Sequence, residues 1–185
     1  MTRNATFLGL VILMLAQPVL ADKNAEKKAE IQEMRQEVLN QLYEESPDTR
    51  GEIAGAEGYG VFSNVGVNLI FVAAGGGSGV VRDNKAGTDT YMKMGQAGIG
   101  LGLGVKDFRG VFVFHTRDAL DNFVDKGWDF GAEADAAAKA DDKGGEGSAA
   151  GTLVDGVSIY QLTENGLVLQ ASLMGTKYWK NDKLN

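Results

Sequence analysis

No cysteine occurs among the 185 residues. Disulfides, thiolate metal sites and a lipid attached through an N-terminal cysteine are thereby excluded, and stability has to come from packing. Proline is nearly absent: Pro18 closes an apolar run and Pro47 closes a charged one. Histidine is reduced to His115. The apolar run from Phe7 to Ala16 is only about half the roughly 20 residues that a bilayer-spanning helix needs. Basic charge is the minority sign, with 18 Lys and Arg against 25 Asp and Glu and a net charge of −7. So acidic a body does not draw in nucleic acid through a general field, because phosphate binding displaces counterions with clustered cations. For the same reason a contact with anionic lipid has to use a local patch.

What is present begins with a leader. Arg3 precedes the run Phe7 to Ala16, and Val19-Leu20-Ala21 puts small residues where a signal peptidase reads them. The expectation is cleavage after Ala21, a mature protein beginning at Asp22, and a periplasmic or secreted location. Removing residues 1–21 leaves 164 residues and, with Arg3 gone, takes the net charge from −7 to −8. That length suits one domain, residues 22–185, with a single core.

From Asp22 to Ser46, Ile31, Met34, Val38, Leu39 and Leu42 recur at spacings of three and four. This predicts an amphipathic helix whose stripe packs on the domain, or alternatively lies on a membrane surface. A short second helix is expected over Thr49 to Glu57. After Tyr59, short apolar runs separated by glycine and polar turns predict strands at 67–74, 79–82, 90–94, 97–105, 111–114, 127–132, 157–162 and 167–173. Asp83 to Gly87 and Thr163 to Gly166 read as hairpin turns. One helix interrupts the strands: Thr116 caps it, Leu120, Phe123 and Val124 form its apolar face, and Gly127 stops it. Residues 135–151 are Ala, Gly and charge, which predicts a mobile surface loop. The fold class is therefore α+β: a glycine-rich, mainly antiparallel sheet or partly closed barrel, with an N-terminal amphipathic helix and one internal helix.

Glycine supplies 26 residues. The alternation at 98, 100, 102 and 104 leaves one strand face bare, a device for close packing. The glycines bind no nucleotide, since Gly75 to Gly79 has no following lysine and no window fits GxGxxG. No serine sits in GxSxG, and His115 has no nucleophile at motif spacing, so it reads as a strand-end residue. Asp141, Asp142 and Glu146 match no calcium loop. Catalytic residues, metal ligands and cofactors are all expected to be absent.

Several segments together resemble the SYLF domain family over about residues 29–176. They are Gly60-Val61-Phe62-Ser63-Asn64-Val65, Gly75 to Val81 followed by Arg82-Asp83, the alternating glycines, Gly131-Ala132-Glu133-Ala134, and Gly166-Leu167 leading to Ser172-Leu173. Ser63 stands where the family usually has proline. The resemblance implies a non-enzymatic module that binds acidic phospholipids, with a basic amphipathic N-terminal helix taking part; by position that role falls to Lys27, Lys28 and Arg35. Independently of the family, Lys177-Tyr178-Trp179-Lys180 with Lys183 is the most basic and aromatic stretch, and such residues suit the headgroup region. The expected partner is thus an anionic phospholipid or membrane surface, with an envelope protein as the alternative partner. A small outer-membrane β-barrel is the competing architecture, because alternating Gly-rich strands and aromatics suit one.

Overall fold

The computed structural model describes residues 17–64, 76–96, 108–129, 152–154, 156–163, 166–168 and 176–185. Its elements in chain order are α1 (Gln17–Glu45), α2 (Thr49–Gly55), β1 (Gly58–Ser63), β2 (Gly77–Asp83), β3 (Thr88–Gln96) and β4 (Arg109–Phe114). They continue with α3 (Arg117–Lys126), β5 (Trp128–Asp129), β6 (Thr152–Val154), β7 (Val157–Thr163), β8 (Gly166–Val168) and β9 (Thr176–Lys180). Every strand pair is antiparallel, in the order β5-β9-β3-β2-β1-β4-β7-β6, with β8 beside β7. The sheet curls as a half-barrel, so the α+β class holds. The expected strands at 67–74 and 97–105, half of that at 127–132 and most of that at 167–173, the bare glycine face, the loop 135–151 and residues 1–16 of the expected leader lie outside the described residues.

The middle strands are buried on both faces, and side-chain alternation sorts them into two cores. Val61, Val80, Tyr91, Val111, Val113, Tyr160 and Leu162 point one way, beneath α1 and α2. Phe62, Val81, Met92, Met94, Phe112, Phe114 and Ile159 point the other way, toward α3. The helix over the first face was legible as a stripe: Ile31, Met34, Val38, Leu39 and Leu42 are at most 9% exposed. At about 1.5–3 kcal/mol for each fully buried side chain, that stripe holds α1 down with on the order of 10 kcal/mol, an upper estimate because the unfolded chain already buries some area. Among the described side chains of α1, the apolar stripe is thus committed to the sheet and not left free for a membrane surface.

α3 forms where its caps require. Thr116 Oγ1 accepts from the Ala119 N–H at 3.3 Å, Asp118 lies in the first turn, and Gly127 leaves the helix at a φ of 73°. Leu120 and Phe123 then enter an aromatic cluster with Phe62, Phe112, Phe114, Trp128 and Tyr178; the Phe62 and Tyr178 rings lie 4.8 Å apart, edge to face. The hairpin turn at 83–87 is also present: the Asp83 carboxylate accepts from the N–H groups of Lys85 and Ala86, and Gly87 takes a φ of 69°. Three of the described strands, β1, β6 and β9, were not anticipated. β1 is the centre of the sheet, yet Gly58 and Gly60 dilute its apolar signal. β6 is three residues long.

Candidate functional site

The tail after β9 folds back onto the outer part of β3. Asn185 completes the edge as a side-chain strand: the Tyr91 N–H donates to its Oδ1 at 2.9 Å, and its Nδ2 donates to the Tyr91 carbonyl at 2.8 Å. Leu184 plugs into the core under α1 at 3% exposure. The start of α1 meets this tail, where Asn24 Nδ2 donates to the Lys183 carbonyl at 3.0 Å. The two basic stretches, 159 residues apart between Asn24 and Lys183, thereby become neighbours.

The predicted cations have different fates within this region. Lys28 Nζ stands 5.1 Å from the centroid of the Tyr91 ring, a cation–π contact. Lys27 faces Glu30 at 3.6 Å, one helical turn away. Arg35 is committed to the interior: its Nη1 lies 3.3 Å from Asp89, which also takes Arg82 Nη1 at 3.2 Å and Gln32 Nε2 at 2.9 Å. Lys180 pairs with Asp125 of α3 at 3.0 Å, while Lys177 and Lys183 are exposed. Tyr178, expected in the surface group, is instead 1% exposed and packed among the phenylalanines, where burial pushes its hydroxyl well above the ordinary tyrosine range. Strand alternation accounts for this, since Tyr178 and Trp179 must face opposite sides of β9. Trp179 takes the outward side and is 40% exposed, the exposed large hydrophobic residue among those described.

Lys93, which sequence reasoning missed, lies directly opposite Trp179 in the β3–β9 register, and Gly95 lies opposite Lys177. The indole rests over Gly95: a Cβ there would come within 2.9 Å of the ring. Residues 91, 93 and 95 share one face of β3, so Tyr91, Lys93 and the Trp179 ring form a continuous row beside the start of α1. The signal was available, because period-two alternation from Tyr91 already puts Lys93 on that face.

Two other clusters were invisible in the sequence. At the far end of the sheet His115 Nε2 lies 2.7 Å from Ser158 Oγ and 3.2 Å from Glu52 Oε1, while the Tyr160 hydroxyl donates to Glu52. Burial, helped by the Glu52 bond and charge, raises the Tyr160 phenol above its ordinary range. Serine and carboxylate share one ring nitrogen here. In a nucleophilic triad the carboxylate takes the other nitrogen and leaves this one as the base. The arrangement differs from that geometry and ties α2 to the end of β4 and to β7. The second cluster is a cavity of about 290 Å³ under α1, lined by Glu30, Glu33, Glu37, Ser63 and Arg109 together with Met34 and Val38. Among the described residues no group of three or more His, Cys, Asp or Glu is placed to hold a metal, and no helix is long and apolar enough to cross a membrane.

The Ysc84 family model, described as a Las17-binding protein actin regulator, matches residues 95–185. A curated relative, Beta cell expansion factor A of Aeromonas veronii, is 35% identical over 156 residues, which is 83% of this chain and 57% of that protein. The chain thus spans little more than half the relative's length. With the motifs from Gly60 to Leu173 in family order, the chain belongs to the SYLF, or Ysc84, family.

Proposed function

We propose that the protein is a non-catalytic module, exported after removal of residues 1–21, that binds the surface of anionic phospholipid membranes in the cell envelope. The observation that carries this reading is the junction of Asn24 with Lys183, which joins two basic stretches into one cationic region on an acidic body. Each cation near an anionic surface contributes on the order of 1 kcal/mol. The attraction fades beyond a Debye length of about 8 Å, so the remote acidic surface is screened while the region itself acts. Family membership supports a binding role over chemistry. The barrel alternative is disfavoured because both faces of the central strands are packed under helices, whereas a membrane barrel turns one face to lipid.

Flotation with vesicles of phosphatidylglycerol and phosphatidylcholine, against phosphatidylcholine alone, tests the proposal. Binding is expected only to the anionic vesicles and should weaken as salt rises. The family description names a protein ligand, so failure to float with any lipid would transfer the reading to an envelope protein partner.

A further inference from the structure

We propose that the membrane-contacting surface is the row of Lys28, Lys93, Trp179 and Lys177, running over the buried Tyr91 ring, with Trp179 as the anchor seated in the headgroup region and α1 remaining docked on the sheet. The inference rests on the lipid-surface reading above and adds the surface and the mode of contact. Three observations carry it.

The helix route is closed, because the apolar stripe of α1 is already committed to the core and detaching it would break up that core. The exposed indole is the second observation. A tryptophan on the inward face of β9 would have joined the aromatic cluster, but Trp179 projects outward at 40% exposure over the bare backbone of Gly95. Such a ring, apolar with one polar N–H, suits the boundary between headgroups and acyl chains. Its surroundings are the third. Lys93 stands directly across from Trp179, Lys177 is next along on the same face, and Lys28 covers Tyr91 at the other end of the row. Of the acidic groups beside the row, Asp89 is held by Arg35 and Arg82 and Glu30 faces Lys27, while Asp129 lies opposite Lys177 in the β5–β9 register. Exposed Glu26 and Asp182 flank it without counterparts of that kind in the row. Cations encircling an aromatic ring match an anionic bilayer better than a neutral one.

The chain has two tryptophans, so Trp128→Phe leaves Trp179 as the sole reporter. With phosphatidylglycerol vesicles carrying brominated acyl chains, its emission should shift to the blue and be quenched. Trp179→Ala should weaken vesicle partition roughly tenfold and Lys93→Ser with Lys177→Ser by a similar factor, with urea midpoints near the parent's. Amide exchange in α1 should stay slow on the vesicles. If Trp128→Phe does not fold, the difference between parent and Trp179→Phe spectra supplies the same reading. Undiminished flotation of Trp179→Ala without quenching of Trp179 would overturn this surface while leaving lipid binding intact. Loss of α1 protection on vesicles would overturn the docked helix, and a parent that floats with no lipid would overturn both readings.

Discussion

Replacing Asp89 by alanine should cost the domain about 2–3 kcal/mol. Asp89 is the joint at which α1 is fastened to the edge of β3: its carboxylate takes Arg35, Arg82 and Gln32 together, at 3.3, 3.2 and 2.9 Å. Hydrogen bonds to charged groups contribute roughly 1.5–3 kcal/mol each when water is excluded. Asp89 and Arg35 are 20% and 18% exposed and Arg82 is 35% exposed, so solvent screens part of that and the Arg82 bond contributes least. Alanine also leaves two guanidinium groups facing each other with no anion between them, which is why the loss exceeds that of one ordinary bond. For a chain of this size the expected fall in Tm is roughly 4–12 °C. Urea denaturation should show a lower midpoint with an unchanged slope. A cycle with Arg35→Met should return a coupling of about 0.5 kcal/mol or more, since the two groups touch. Coincident midpoints for parent and Asp89→Ala, or a coupling of zero, would refute the reasoning and mean that the apolar stripe alone seats the helix.

Gly79 sits against Phe62 and the Val61 carbonyl so closely that an added Cβ would overlap both; Gly79→Ala should destabilise by roughly 1–3 kcal/mol through overpacking, read from the urea midpoint, and an unchanged midpoint would contradict that packing. The Asp83 carboxyl is held below the ordinary carboxylate range, first by the Ala86 N–H and then by Arg117. Because its folded value is the lower one, the stability it contributes is fully present above its unfolded value near 4 and is lost as pH falls through the folded value. Urea midpoints of Asp83→Asn should therefore drop less than the parent's between about pH 5 and pH 2, and parallel curves would count against the assignment.

Legibility in the sequence followed physical locality. The α1 stripe, the capped α3 and the Asp83 turn are set by neighbours within a few residues, and each was readable. β1 was not, because a strand buried on both faces has no period-two contrast and Gly58 and Gly60 thin its apolar run. The tail shows a different failure. Read as a basic aromatic patch, Lys177 to Lys180 puts both aromatics outside; read as a strand, it must send one of them inward, and that one is Tyr178. The pairing of Arg35 with Asp89, 54 residues away, and the meeting of Glu52, His115 and Ser158 depend on topology and carry no local signature.

The position of β9 governs when this molecule can come into being. The last of the described strands, β9, is an interior strand, lying between β5 and β3. A chain emerging from the ribosome can pair β1 to β4 early, yet β3 keeps an open hydrogen-bonding edge until residue 180 has been made. The seat of Tyr178 among the phenylalanines is likewise empty until then. Closing this part of the sheet therefore depends on a pairing between segments far apart in the chain, for which loop-closure entropy is spent before the contact is gained.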